Sequence, residues 1–117
     1  MSIIVLVPVG SAAAEALPPG TSLVSYANPV DAIVALRAST GPVVLDSDGL
    51  PEDTLASVAA ALRERSGDCI EVRARAWDGE SHSPLSAACR GVISGFGPTG
   101  IAAAIALLTG ATAVPDA

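Results

Sequence analysis

The chain has no lysine at all; its six basic residues are arginines, the first of them Arg37. Set against twelve acidic residues, they leave a formal net charge of −6, so there is no basic stripe to neutralise nucleic-acid phosphates. Two cysteines, Cys69 and Cys89, are too few for a secreted disulfide framework and lack the spacing of zinc ligands. They read as buried free thiols, which suits a reducing cytoplasm. No positive residue precedes the apolar run at 3–7, which argues against a secretory signal. The uncharged stretch 91–115 is long enough for a bilayer, but Gly95, Gly97, Pro98 and Gly100 break it and no span is expected.

What is present is apolar and evenly spread. Half of the 117 residues are hydrophobic, enough for one α/β domain over 1–117 that needs no metal or disulfide staple. Only 15% are charged, so either an alanine-rich surface is mildly polar or part of it is buried against copies of the chain. A homo-oligomer is the expectation.

Five short apolar runs, at 3–7, 22–26, 42–45, 69–72 and 91–94, are rich in valine and isoleucine and bounded by glycine, proline or acid. They read as buried strands. Between the second and third, the 29–38 segment opens on Pro29 and predicts a helix with Val30, Ile33 and Val34 on one face. Between the third and fourth, Leu55, Val58, Ala59 and Leu62 recur at helical spacing within 51–65. Glu52 and Asp53 in its first turn, Arg63 and Arg65 in its last, and Gly67 beyond it match helix-end preferences. A last helix from Pro98 to Gly110 turns Ile101, Ile105 and Leu108 inward. The links 11–20 and 74–90 have room for short helices only. Strands alternating with helices predict a flavodoxin-like three-layer α/β domain with a parallel sheet, whose ligands bind beyond the carboxyl ends of the strands.

Three groups near those ends carry candidate chemistry. Gly95, Gly97 and Gly100 satisfy a dinucleotide fingerprint between strand and helix, but the expected following strand and ribose-binding acid have no counterpart, so a tight turn is the better reading and no cofactor is expected. Asp46, Asp48, Glu52 and Asp53 cluster after the third strand, as in a phosphate-accepting receiver domain. The first strand, however, ends in Pro8 and Val9 where a receiver has a magnesium-binding acid pair, and no lysine is available. These acids read as a solvated, helix-capping rim, with no metal site. The sole histidine, His82, lies between Ser81 and Ser83; adjacent positions cannot form a hydrolytic triad, and no nucleophile elbow is present.

From His82 through Ser83, Pro84 and Leu85 to Gly91, Val92, Ile93, Ser94, Gly95, Phe96 and Gly97, followed by an alanine-rich helix, the chain resembles the C-terminal part of the type II 3-dehydroquinate dehydratases. The upstream strands follow in the same order, with Tyr26, Ala27 and Asn28 at the end of the second. That resemblance implies a five-stranded sheet of order 2-1-3-4-5, trimers packed into dodecamers, and a dehydration in which a tyrosine on a lid after the first strand removes a proton next to a ketone, an arginine helping it ionise.

The catalytic parts depart from this pattern. Residues 11–20 hold neither tyrosine nor arginine, and the sole tyrosine, Tyr26, lies on the second strand. Asp46 stands at the family's asparagine and Glu52 near its histidine, placing acids where a carboxylate substrate would be received. The stretch 73–80 matches the loop that carries the family's general acid and substrate-binding arginine, which makes Arg75 the candidate anion ligand. The resemblance thus implies a shortened, catalytically degenerate dehydroquinase-like protein of the cytoplasm, an oligomeric scaffold or small-ligand binder with Asn28, Asp46, Asp48, Glu52, Arg75 and His82 as candidate ligand contacts. Two rivals stay open. One is a lyase that uses Asp46, Asp48, Glu52, Arg75 and His82, or groups from a neighbouring subunit; the other is a partner subunit for a full-length homologue.

Overall fold

Six residues of the first strand, β1 (Ile3–Pro8), are apolar on both sides, so the strand has to lie inside a covered sheet. The computed structural model describes residues 3–10, 17, 20–73, 85, 88–94 and 99–109. Its elements follow as β2 (Thr21–Tyr26), α1 (Pro29–Ala38), β3 (Val43–Asp46), a 3-10 turn (Glu52–Thr54), α2 (Leu55–Glu64), β4 (Cys69–Arg73), β5 (Gly91–Ser94) and α3 (Thr99–Thr109).

All strand pairs are parallel and the order is β2-β1-β3-β4-β5, the flavodoxin-like arrangement expected from the alternating pattern. Each expected strand lies within a residue of its observed bounds. The links 11–20 and 74–90 fall largely outside the described residues, as does the glycine turn at 95–98.

Period-two alternation sorts the strand residues into two cores. Leu6, Tyr26, Val43, Leu45 and Cys69 face α1 and α2, meeting Ala32, Leu36, Val58, Ala59 and Leu62. Ile3, Val5, Val7, Val44, Ile70 and Val72 face α3, meeting Ile101, Ala104 and Ile105, with Leu108 partly buried beside them.

Two helices differ from expectation. In α1 it is Ala32 and Leu36 that are buried, with Ile33 partly buried against the same core, while Val30 and Val34 are 66% and 60% exposed. The helix carries two apolar rows, and the sheet takes the one whose small Ala32 permits close approach. The first turn of the 51–65 segment tightens into a 3-10 turn because the Thr54 amide and hydroxyl both donate to the Pro51 carbonyl, at 3.0 and 2.6 Å, so the α-helix starts at Leu55.

Arg65 fastens the two helices at the opposite end from the strand carboxyl termini. Its guanidinium donates to the Leu36 carbonyl at 3.0 Å, the Gly41 carbonyl at 2.9 Å and the Ser39 hydroxyl at 3.1 Å, satisfying the last turn of α1. Beside it, Gly67 has φ of +105° and packs on Gly41; a Cβ there would run into the Gly41 carbonyl group. Gly10 also has positive φ, +87°, but open space around it.

Gly67→Ala therefore meets both backbone strain and a backbone clash, whereas Gly10→Ala meets strain alone. Urea denaturation is expected to show a loss of about 1 kcal/mol for Gly10→Ala and well over ~2 kcal/mol for Gly67→Ala. Equal losses would mean that the approach to Gly41 carries no weight.

Candidate functional site

In a sheet of this order the chain leaves β1 and β3 in opposite directions, and the crevice for ligands opens where their carboxyl ends diverge. Here the carboxyl ends of β1, β2 and β3 are tightly joined. Tyr26, at the end of β2 and 1% exposed, donates its hydroxyl to the Asp46 carbonyl at 2.6 Å and accepts from the Gly49 amide at 3.2 Å. A Cβ at Gly49 would stand 2.7 Å from the Pro8 Cβ and 3.0 Å from the Tyr26 hydroxyl, so only glycine lets the turn after β3 lie against the end of β1. Burial, and after it the nearby Asp46 carboxylate, pushes the Tyr26 phenol above its ordinary range. It stays protonated.

Asp46 ends β3 and is 9% exposed as a residue, on the same sheet face as Val44 by strand alternation. One carboxylate oxygen accepts from the Asp48 amide at 3.0 Å. Burial pushes this carboxyl up from 3.8 to about 6; the amide bond from Asp48 opposes the shift, and the Asp48 charge adds to it. A group with that value is part protonated near neutral pH, as proton transfer requires.

On the other sheet face lies a second buried carboxyl. Glu71, 1% exposed in the middle of β4, accepts from the Ser47 hydroxyl at 2.6 Å and from the Arg73 guanidinium at 2.5 Å. Arg73 sits two residues along the same strand and hence on the same face, half-buried, so the pair forms within β4 itself. Ser47 also donates its amide to the Val72 carbonyl at 3.1 Å, joining the end of β3 to β4 through both backbone and side chain. Removing one partner of such a buried pair would strand the other's charge.

Of the residues expected from the sequence, the fold brings Asp46 and Asp48 together in one turn. Asn28 and Glu52 lie at the same edge of the sheet but are exposed. The Asn28 side chain accepts from the Asp31 amide at 2.9 Å and so caps α1, ahead of Pro29 in the first turn. Arg75 and His82 lie outside the described residues. Sequence reasoning passed over Ser47, Glu71 and Arg73. The available signal was a glutamate between Ile70 and Val72 in an otherwise apolar strand, with an arginine two positions on.

Among the described residues no cluster of three histidine, cysteine or acidic side chains is placed to hold a metal ion, and no helix is long and apolar enough to cross a membrane. No protein-family model matches the chain, and no curated protein matches it significantly.

Asp46 has a folded pKa above its unfolded value, so the folded state binds this proton more tightly. Its stabilising contribution is complete below about pH 4 and is lost as pH rises through about 6. Asp46→Asn keeps an acceptor for the Asp48 amide and removes the ionisation. It is expected to stabilise the fold at pH 8 by up to about 3 kcal/mol, with the gain vanishing below about pH 4, read by urea denaturation at both ends of that range. Tyr26→Phe leaves the Asp46 carbonyl and Gly49 amide without their partner and is expected to cost about 1–3 kcal/mol at either pH, measured in the same way.

Proposed function

We propose that this chain binds a small ligand at the carboxyl edge of its sheet, on a scaffold resembling that of the type II dehydroquinases, and does not carry out their dehydration. The observation behind this reading is the state of the sole tyrosine. A proton-abstracting tyrosine must reach the substrate and ionise, whereas Tyr26 is buried, its hydroxyl holds the β3 turn in place, and its pKa is raised. Charge points the same way. Asp46 and the exposed Glu52 stand at the positions that receive a carboxylate substrate in the resembled family, Asp48 shares the turn with Asp46, and acids there repel such a substrate above about pH 6. Assembly of several copies, as trimer or dodecamer, or pairing with a full-length homologue, belongs to the same proposal, as does a cytoplasmic location.

A lyase reading has one specific observation in its favour: Asp46 titrates near 6 at a strand end, where a general acid or base would serve.

The two readings separate on 3-dehydroquinate. With purified protein, ultraviolet absorbance of the conjugated product is expected to stay flat between pH 5 and 8, while calorimetric titration gives saturable binding that is tighter at pH 5 than at pH 8. Light scattering on the same sample gives the number of copies. Turnover that disappears in Asp46→Asn would establish the lyase reading; absence of both turnover and binding would remove the dehydroquinase-like site.

A further inference from the structure

We propose that Cys69 and Cys89 form a reversible disulfide that latches the start of β4 to the approach to β5. Both are free thiols in this structure, yet their sulfurs lie 3.4 Å apart, with the Cys89 thiol donating to the Cys69 sulfur. A disulfide needs about 2.05 Å, so the sulfurs have about 1.4 Å to close. The backbones are already held for it: the Arg90 amide donates to the Cys69 carbonyl at 2.7 Å, clamping the residue beside Cys89 onto Cys69. Both side chains belong to the same apolar cluster, under α1 and α2.

Exposure assigns the order of events. Cys69 is 4% exposed while Cys89 is half-buried, so an oxidant meets Cys89 first. Its contact with the Cys89 thiol, and then burial, keep the Cys69 thiol above its ordinary range, so Cys69 is not the sulfur that takes the first step. With a hydroperoxide as oxidant, the Cys89 thiolate attacks one peroxide oxygen and breaks the O–O bond, giving a sulfenic acid and hydroxide, which takes up the proton that Cys89 lost. The Cys69 sulfur then attacks the Cys89 sulfur, the S–O bond breaks, and the hydroxyl leaves as water with the Cys69 proton. Two thiols have lost two electrons and one hydrogen peroxide has become two waters; a dithiol reductant reverses the change. The ring that closes runs from residue 69 to residue 89 and includes Arg75 and His82, so oxidation ties together both ends of the segment carrying two of the candidate ligand contacts.

The test uses the intact wild-type chain treated with a slight excess of hydrogen peroxide. Mass spectrometry is expected to show the loss of two hydrogens per chain, with no covalent dimer on a non-reducing gel and full reversal by dithiothreitol. Closing a ring of this length is expected to raise Tm on the order of 10 °C. Cys89→Ser, which leaves the buried Cys69 in place, is expected to show neither the mass change nor the Tm shift. Added oxygen on Cys89 without ring closure, a disulfide between chains, or a closed ring with unchanged or lowered Tm would overturn the proposal.

Discussion

The hydroxyl of Tyr26 is the constraint on which this edge of the molecule depends. From β2 it reaches the last carbonyl of β3 and the turn amide beyond it, and Gly49 in that turn rests on Pro8 of β1. Three strands are thereby tied at their carboxyl ends by one side chain. A phenol used in this way is a buried donor and acceptor whose loss leaves two backbone groups unsatisfied, and it is withdrawn from proton chemistry for the same reason. The edge where this fold ordinarily does its work is thus held rigid by the only tyrosine the chain has.

Two buried carboxyls flank that tie, and the sheet keeps them apart. Glu71 has Arg73 and the Ser47 hydroxyl against it, so its charge is balanced where it lies. Among the described residues no ion pair involves Asp46; it has the Asp48 amide and, beside it, a second acid. Burial thus acts differently at the two sites. One carboxyl knits β3 to β4, and the other is left free to take up a proton within a pH range a cell can reach.

The sheet was legible because strands buried on both faces read as unbroken runs of valine and isoleucine, and α2 because its apolar row coincides with acids at its start and arginines at its end. The inner face of α1 was not. Val30 and Val34 form as convincing a row as Ala32 and Leu36, and hydrophobicity alone does not say which of them the sheet accepts. At the site, the position of Asp46 and Asp48 followed from their place after a strand, and the Asn28 cap could have been read from the proline behind it. The Tyr26, Ser47 and Glu71 bonds join residues about twenty positions or more apart and become visible only once the strands are ordered.

The two cores also differ in when the chain can complete them. Among the described residues, every buried member of the cluster under α1 and α2, apart from Cys69 and Leu85, precedes position 63, so that layer can assemble while the rest is still being made. Its counterpart waits for Ile101, Ala104 and Ile105, well beyond that position. Until those residues leave the ribosome, Ile3, Val5, Val7 and Val44 lack the cover of α3 on a half-built sheet, with Leu17 alone of the described earlier links packed against them. The interval between the two layers is the period in which a nascent chain of this protein has most to gain from a chaperone or from a neighbouring copy.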